Sequence, residues 1–370
     1  MTQRHIYFAG GGTGGHIYPA LAVAQELLNV EPNCKITFFC SQRPIDVRVL
    51  GATGYRFVPL PVSGFSGNPL KFVMFLKSVF AAKKMVKKIM LEDKCEKSVL
   101  FSVGGFVSTG AVLAAKSLNI PVAMLNIDSI PGKANNFLAR YAKDIFVQFA
   151  KTKNYFGLNN KKVTVTGCPL RKGFFKPDIG GAIESLGLNP KKKILLVTGA
   201  SGGALNINNV IGYLLDRFDI FDAGWQIVHL TGIAHYDAVR ALYRRCEIGY
   251  KILDYCDDMP GLLAAADLVI GRAGAMSIAE FAVSCTPAVC LPYPYHKDMH
   301  QKQNAQLLVD AGCAVLVDDL CDTEKTAASL WPILCELMSN DEKRAAMRQK
   351  CAAIARPDAA SAIVQKLLTY

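Results

Sequence analysis

The chain has 370 residues, of which 51% are hydrophobic and 19% charged, and this composition excludes an intrinsically disordered protein and allows two domains of ordinary size. It contains no apolar run long enough to cross a bilayer, and its twelve singly scattered cysteines show neither a C-x-x-C pair nor a metal-ligand spacing. The net charge of +12 is uneven, because residues 1–165 hold 21 basic and 8 acidic side chains and the remainder holds 21 and 22, so we expect one half alone to meet an anionic surface.

The first predicted elements are a strand at residues 5–8, a glycine loop and a helix at 17–28. Residues 10–24 read GGGTGGHIYPALAVA, with five glycines in the first six positions. Glycine lets a ligand approach the backbone, and the free N–H groups and positive dipole of a helix N-terminus favour an anion. The stretch therefore predicts a diphosphate-binding loop.

Two features set this loop apart from a dinucleotide site. The second predicted strand, 35–39, ends in Cys40, Ser41 and Gln42 instead of the acidic residue that binds a ribose in dinucleotide enzymes. In addition, His16 stands at the start of the predicted helix. Its imidazole either faces the ligand of the glycines or only caps the helix, and the sequence leaves both alternatives open.

The helix predicted after Pro69 combines an apolar stripe with many lysines. Phenylalanine, leucine and valine recur at helical spacing, and lysines surround this apolar stripe. Such a helix either packs its stripe on the sheet or lies in a membrane interface with its lysines among anionic head groups. We favour the membrane and assign it Phe72, Phe75, Leu76, Val79, Phe80, Lys77, Lys83 and Lys84.

Short apolar runs alternate with helical patterns along the whole chain, which is typical of βαβ units and parallel sheets. The sequence predicts an α/β protein with two Rossmann-like halves that join near 166–169, where Gly167 and Pro169 indicate a hinge. The predicted strands are 5–8, 35–39, 56–60, 98–102, 121–125, 144–148 and 162–165 in the first half, and 193–197, 226–230, 250–252, 268–270, 287–291 and 314–317 in the second.

Three further glycine turns follow predicted strands. They lie at 103–108, 198–203 and 271–277 and read VGGFVS, TGASGG and GRAGAMS. In parallel α/β sheets, ligands bind at the carboxyl ends of strands. Four such loops on two facing domains are therefore expected to outline a central cleft.

In combination, these motifs resemble the MurG family, the UDP-N-acetylglucosamine:N-acetylmuramyl-(pentapeptide) pyrophosphoryl-undecaprenol N-acetylglucosamine transferases. Six segments carry the resemblance, in order along nearly the whole chain. They are GGGTGGHIYPALAVA, SVGGFVS, GCPLR, TGASGGALNIN, DYCDDMPGLLAAADLVIGRAGAMSIAEFA and HKDMHQKQNA.

The resemblance implies a GT-B fold, with two Rossmann-like domains whose parallel sheets face a central cleft. Residues 1–165 would form the N-terminal domain, which binds the lipid acceptor and the membrane. Residues 166–370 would form the C-terminal domain, which binds the UDP-sugar donor, and the last helix, about 357–370, is a candidate to pack back on the N-terminal domain.

The resemblance also assigns donor-binding residues. Glu280 would accept hydrogen bonds from the ribose hydroxyls, because a carboxylate only accepts. Arg171 would neutralise the leaving diphosphate, Cys256 would provide a backbone contact to uracil, and Thr13, Gly14 and Gly15 would reach the donor from across the cleft, beside the acceptor. The remaining donor residues are Ser201, Ala275, Met276, Ser277, Ile278, Ala279, His300, Gln301 and Asn304.

For the acceptor, the resemblance implies that the diphosphate lies at the first and second glycine loops. His16 and Asp128 are the candidates for the catalytic base, and the sequence does not decide between them. Residues 125–128 read LNID where the family has His-Glu-Gln-Asn, so this chain departs from the family at the acceptor contacts. The residues assigned to the acceptor diphosphate are Gly11, Gly12, Gly104, Gly105, Phe106 and Ser108.

The reaction implied is an inverting transfer of N-acetylglucosamine from UDP to the C4 hydroxyl of undecaprenyl-diphosphate-linked N-acetylmuramyl-pentapeptide. Its transition state is oxocarbenium-like, so a base and stabilisation of the leaving diphosphate suffice. Arg171 and helix dipoles supply the latter, and no Asp-x-Asp triplet ends a predicted strand. We therefore expect no essential metal and no cofactor besides the substrate UDP-N-acetylglucosamine.

The expected location is the cytoplasmic face of the plasma membrane, as a peripheral protein on an anionic surface, since charged Arg4 and the following glycines argue against a signal peptide. Candidate partners are other cell-wall synthesis and division proteins. A nucleic-acid partner is not expected, because the basic residues accompany an apolar stripe.

Two alternatives remain open at this point. One is another GT-B enzyme with a different acceptor, such as a diacylglycerol glycosyltransferase, or a UDP-N-acetylglucosamine epimerase. The other is an inactive nucleotide-binding scaffold of cell-wall assembly.

Overall fold

The structure is a computed structural model that describes residues 3–12, 14–64, 69–93, 95–200, 202–218, 224–295 and 298–370. Its strands are β1 (Arg4–Ala9), β2 (Lys35–Ser41), β3 (Arg56–Leu60), β4 (Lys97–Ser102), β5 (Val122–Asn126), β6 (Asp144–Val147), β7 (Val163–Val165), β8 (Lys193–Thr198), β9 (Trp225–Leu230), β10 (Gly249–Leu253), β11 (Leu268–Gly271), β12 (Ala288–Cys290) and β13 (Ala314–Leu316). Every strand that the sequence predicts is present, with small shifts at the ends.

The helices fill the connections between these strands. They are α1 (Gly14–Val30), α2 (Pro44–Gly51), α3 (Pro69–Glu92), α4 (Val107–Ser117), α5 (Lys133–Leu138), α6 (Ile179–Leu186), α7 (Leu205–Phe218), α8 (Tyr236–Leu242), α9 (Met259–Ala265), α10 (Ala275–Val283), α11 (His300–Asp310), α12 (Thr323–Ser339), α13 (Asp341–Ile354) and α14 (Ala359–Leu367). Short 3-10 turns also occur, among them Tyr243–Arg245 after α8.

The chain divides into two compact units, Met1–Arg171 with Pro357–Tyr370, and Lys172–Arg356. The division falls after Arg171, whereas the sequence-based boundary lies at 165. Helix α14 belongs to the first unit. The guanidinium of Arg4 donates to the carbonyls of Leu368 and Tyr370, at 3.0 Å each, and so ties the segment after α14 to strand β1.

Each unit is built on one parallel sheet, which confirms the predicted fold class. The first sheet has the order β3-β2-β1-β4-β5-β6-β7 and the second the order β10-β9-β8-β11-β12-β13. In the first sheet Phe8 pairs with Phe38 on one side and Phe101 on the other. Its ring lies 4.8 Å and 5.6 Å from theirs, so aromatic contacts reinforce this register.

The core of the second unit contains a buried histidine. Nδ1 of His229 lies 2.9 Å from the Tyr243 hydroxyl, and Nε2 lies 3.0 Å from Oδ1 of Asn208. The Asn208 amide in turn donates to the carbonyl of Thr231 at 3.0 Å. Burial lowers the pKa of His229 to about 3, because the charged form would lose its hydration.

This histidine makes an acid-dependent stability prediction. The unfolded chain binds a proton on His229 below about pH 6.5 whereas the folded chain does not until about pH 3, so folding stability falls as the pH falls through that window. We expect His229→Gln to remove up to about 1.4 kcal/mol per pH unit of this slope. Urea titrations followed by tryptophan fluorescence test it, since both tryptophans, Trp225 and Trp331, lie in the second unit.

Tyr243→Phe is the matched control. It removes one hydrogen-bond partner but keeps the titrating imidazole buried, so the pH slope should remain while the overall stability falls. An unchanged slope in His229→Gln would show that other groups carry the acid sensitivity.

Candidate functional site

The four glycine loops lie where the strand order of each sheet reverses. In the first sheet β1 and β4 are neighbours. From β1 the chain continues to β2 on one side of this pair, and from β4 it continues to β5 on the other side. In the second sheet the same holds for β8 and β11. Ligands of open parallel sheets bind at the carboxyl ends of the strands at this switch point. The loops after β1 and β4, and those after β8 and β11, are therefore two matching candidate sites, one in each unit.

A buried carboxylate holds the first glycine loop. Asp46, on α2, accepts hydrogen bonds from the Gly12 N–H at 2.8 Å and from the Ser41 N–H at 2.9 Å and hydroxyl at 2.6 Å. Its approach to the loop leaves no room at Gly11, where a Cβ atom would lie 2.1 Å from Oδ2 of Asp46. Arg43 completes the clamp by donating to the Gly12 carbonyl at 2.7 Å.

This arrangement corrects one sequence-based assignment. The Gly12 N–H already donates to a carboxylate, so it does not bind the acceptor diphosphate as predicted. The remaining part of the predicted anion site is the first turn of α1, which begins at Gly14 and contains Gly15 and His16. Thr13 lies outside the described residues.

The second glycine loop, after β4, packs against the first. The Ser108 hydroxyl lies 2.8 Å from the carbonyls of both Ala9 and Gly104, and the side chain is completely buried. Ser108 therefore joins the two loops and is not exposed to a diphosphate, which corrects its predicted role. Gly104 is buried, and Gly105 and Phe106 are half-buried at the start of α4.

His16 lies at the junction of these two loops. A Cβ atom on Gly105 would be 3.6 Å from Cε1 of His16. Burial lowers the pKa of His16, while the carboxylates of Asp128 and Asp46 and a hydrogen bond with the backbone of Gly11 oppose that shift. The two candidate bases are thus neighbours in space, and the lowered pKa of His16 favours its neutral imidazole.

In the segment 125–128, which departs from the family pattern, Asn126 has a structural role. Asn126, at the end of β5, is buried, and its amide donates to the carbonyl of Asp128 at 2.6 Å and accepts from Asn135 at 2.8 Å. Leu125 is also buried in the first unit. The asparagine therefore shapes the turn that carries the half-buried Asp128.

Arg171 is placed beside the first glycine loop. Its guanidinium lies over the ring of Tyr18 on α1, with Cζ 4.7 Å from the ring centroid. The Tyr18 ring itself lies next to Gly14. A permanently charged donor group therefore belongs to the first unit, close to the N-terminus of α1.

In the second unit, the loop after β8 is held against the loop after β9. Gly203 has φ of +72°, and a Cβ atom there would lie 2.1 Å from the carbonyl oxygen of Thr231. Only glycine fits this position. Ser201, the predicted phosphate ligand of this loop, lies outside the described residues.

The loop after β11 leads into α10, which begins at Ala275 after Gly274. Met276 and Ser277 are half-buried in the first turn. Ile278 and Ala279 pack into the core, whereas Glu280 is half-buried one turn further on. These predicted donor residues therefore lie in the first two turns of one helix.

Arg272 is a residue that our sequence reasoning missed. Its buried guanidinium donates to the carbonyls of Leu291 and Pro292 at 3.0 and 3.1 Å and to Oδ2 of Asp319 at 2.8 Å. Asn206 also donates to Asp319, at 3.2 Å. The pair joins segments that follow β11, β12 and β13 to α7. The sequence feature that could have identified Arg272 is its position inside a glycine turn directly after a predicted strand.

Helix α11 carries the residues predicted to read the sugar. Oε1 of Gln301 accepts from the Tyr293 N–H at 2.9 Å, and Nδ1 of His300 lies 2.8 Å from Asp298. Asn304 is completely buried, and its amide donates to the Ala273 carbonyl at 3.3 Å. Asn304 therefore supports the loop before α10. Cys256 is half-buried in the loop that follows β10.

The predicted membrane stripe on α3 divides between two faces. Val79 is only 4% exposed, buried like Ala82 and Val86 on the following turns, so its assignment to a membrane is wrong. Phe75 is half-buried. Phe72, Leu76 and Phe80 are exposed, as are Leu70, Val73 and Met74, which the sequence-based set omitted. Lys77 and Lys84 are exposed beside them and Lys83 is half-buried.

Within the described residues, no helix is both long and apolar enough to span a membrane. In the same part of the chain, no cluster of three or more His, Cys, Asp or Glu side chains is arranged to hold a metal ion.

Comparison with known proteins identifies relatives along the whole chain. The glycosyltransferase family 28 N-terminal domain matches residues 6–147, and the C-terminal domain of the same family matches residues 194–363. The UDP-N-acetylglucosamine--N-acetylmuramyl-(pentapeptide) pyrophosphoryl-undecaprenol N-acetylglucosamine transferase of Carboxydothermus hydrogenoformans is 33% identical over 95% of this chain and 94% of its own. The enzyme of the same name from Leuconostoc citreum is 32% identical over 98% and 97%.

Solved structures agree with these sequences. Acinetobacter baumannii MurG superposes with a TM-score of 0.75 and 26% identity, covering 99% of this chain and 100% of that one. A putative UDP-N-acetylglucosamine 2-epimerase from Listeria monocytogenes gives a TM-score of 0.70, with 99% and 96% covered, but only 14% identity. The latter likeness is one of fold.

The Arg272–Asp319 pair yields a stability prediction. Arg272→Met leaves a carboxylate buried without its cation, so we expect a loss of about 3–5 kcal/mol in the free energy of unfolding. Arg272→Met combined with Asp319→Asn removes the stranded charge while Asn keeps an acceptor for Asn206, and most of the loss should be recovered. Tryptophan-monitored urea titration measures both variants. A cost within about 0.5 kcal/mol for the single variant would contradict a structural role for the pair.

Proposed function

The chain belongs to the MurG family within glycosyltransferase family 28, and we propose that it transfers N-acetylglucosamine from UDP-N-acetylglucosamine to undecaprenyl-diphosphate-linked N-acetylmuramyl-pentapeptide. It is thus a UDP-sugar-dependent hexosyltransferase of peptidoglycan synthesis. The match to relatives of that name along nearly its whole length, at up to 33% identity, confirms the resemblance found in the sequence.

One observation carries this function in the structure. Each unit has a glycine-rich switch point that can hold a diphosphate, one after β1 and β4 and one after β8 and β11. The reaction needs two diphosphates, one on the nucleotide donor and one on the lipid acceptor. A duplicated anion site therefore matches the chemistry of both substrates.

We assign the donor to the second unit. The N-terminus of α10 offers N–H groups to the diphosphate, and Glu280 follows as an acceptor for the ribose hydroxyls. Arg272 and Asn304 act through the backbone, because they fix the loop from which α10 begins. His300 and Gln301, at the start of α11, are proposed to contact the sugar.

We assign the acceptor to the first unit, with its diphosphate at the N-terminus of α1. His16 is the proposed general base for the C4 hydroxyl, since a lowered pKa keeps its imidazole unprotonated at neutral pH. Asp128 is proposed to orient the ring and to stabilise the imidazolium once the proton has been transferred. Inversion follows if the hydroxyl attacks the anomeric carbon opposite the departing UDP.

The departing diphosphate needs positive charge. The dipole of α10 and Arg171, which the family resemblance assigns to the diphosphate, are proposed to supply it, so the reaction requires no metal ion. Retention of full turnover in a chelator such as EDTA is the corresponding expectation.

We further propose that the protein binds the cytoplasmic face of the plasma membrane as a peripheral protein, through the exposed side of α3. Six exposed apolar side chains between Leu70 and Phe80 can enter the acyl boundary, while Lys77 and Lys84 contact anionic head groups. The lipid acceptor resides in that surface. Other cell-wall synthesis and division proteins are proposed partners there.

The choice of base is tested by a pH profile of acceptor-dependent UDP release from purified protein in detergent. We expect Glu280→Ala to lose donor-dependent turnover. His16→Ala should lower kcat by a factor of about 100 or more, as for a missing general base. Asp128→Asn should retain turnover but move the acid limb to lower pH, because the carboxylate raises the pKa of His16. Loss of turnover in Asp128→Asn with a nearly normal His16→Ala would instead make Asp128 the base.

The membrane proposal is tested by co-sedimentation with vesicles containing phosphatidylglycerol. Leu76 and Phe80 are 39% and 65% exposed, and their replacement in Leu76→Ser/Phe80→Ser should weaken binding about tenfold, since less apolar area leaves water. Leu205→Ser is the matched control, because Leu205 is 52% exposed on α7 of the second unit. Equal weakening by both variants would contradict a role for α3.

A further inference from the structure

Among the strands that the structure describes, β10 forms an edge of the second sheet and pairs only with β9. One hollow of about 630 Å³ lies on its α8 side, and a second of about 470 Å³ lies towards the segment before β8. Tyr250 and Lys251 line both hollows. We call this continuous surface the β10 groove.

The groove is basic. Lys192, Arg240, Arg244 and Lys251 line it, against one acidic side chain, Asp237. Within the part of the chain that the structure describes, Arg240, Arg244 and Lys251 form no ion pair. A lysine on an edge strand also discourages aggregation, but that purpose does not require two further arginines on the neighbouring helical segment.

The backbone of β10 restricts the kind of ligand. In a parallel pair, alternate residues turn their N–H and C=O groups away from the partner strand, so the free edge of β10 can receive one more strand. An extended peptide that pairs there places every second side chain on the same face. Arg240 and Arg244 are four residues apart, in α8 and the turn that follows it, and both line the hollow beside β10.

We propose that the β10 groove is a docking surface for an extended acidic peptide segment of a partner protein. The peptide adds a strand to β10, and its carboxylates contact Arg240, Arg244 and Lys251. A second copy of this chain is disfavoured as the occupant, because its net charge of +12 repels a basic surface.

The position of the groove separates it from the donor site. Lys192 and Gly249 lie at the amino ends of β8 and β10, and Arg240 and Arg244 lie near and after the end of α8, where the chain returns to the amino end of β10. The glycine loops lie at the carboxyl ends of the strands, and the part of the groove towards them is the start of α8, at Tyr236 and Asp237. Occupation of the groove therefore leaves the proposed nucleotide site open, and substitutions in the groove should not change basal turnover.

The test uses a fluorescein-labelled peptide of alternating glutamate and valine, with binding to the full-length protein measured by fluorescence anisotropy at low salt. We expect Arg240→Glu/Arg244→Glu and Lys251→Glu each to weaken binding at least about tenfold, as reversed charges repel the peptide. Lys176→Glu, an exposed lysine of the same unit outside the groove, is the charge-matched control and should bind normally.

A second probe separates strand addition from simple charge attraction. The same peptide with alternate backbone nitrogens methylated keeps every carboxylate but loses the donors that pair with β10, and it should bind at least about tenfold more weakly. Equal binding of both peptides, or equal weakening by Lys176→Glu, overturns the proposal. Circular dichroism of each variant confirms that the fold is retained, and unchanged UDP release distinguishes this result from a failure of the transferase proposal.

Discussion

A buried carboxylate fixes the ligand-binding edge of each sheet. In the first unit Asp46 binds the backbone of Gly12 and both hydrogen-bonding groups of Ser41, and so locks the glycine loop against the end of β2. In the second unit Asp319 pairs with Arg272, which binds the carbonyls that follow β12. Glycine-rich loops lose more conformational entropy on folding than other segments, so a pre-formed anion site needs such external constraints. In each unit the loop backbone is held by an acidic residue that is itself buried.

Burial also separates the histidines by role. His229 is fully enclosed and has a partner at each ring nitrogen, and His5 is buried against Thr37 with its pKa lowered to about 4. These side chains keep their neutral form and support the two sheets. His16 differs because it lies at the edge of the sheet among two carboxylates and a glycine loop. This placement, unlike that of His5 and His229, is the basis on which His16 is proposed as the base.

Helix α3 shows how one amphipathic pattern serves two surfaces. Val79, Ala82, Val86 and Met90 form the stripe that packs into the unit. The apolar residues before Phe80 continue around the helix and remain exposed, with lysines beside them. A contiguous exposed apolar surface of this kind is typical of an interaction site. The first unit therefore carries both the glycine loops after β1 and β4 and this exposed apolar surface.

The sequence by itself determined the class of the fold, the positions of all the strands and the four loops, because alternating apolar periods and glycine turns are local signals. It also indicated His16, Glu280 and the family. Only the tertiary structure decided that Gly12 and Ser108 bind other protein groups, that Val79 faces the core and that Arg272 pairs with Asp319. The physical reason is sequence separation: Asp46 is 34 residues from Gly12, and Asp319 is 47 from Arg272. Which polar groups satisfy each other at such separations depends on the packing of whole strands, and no local pattern records it.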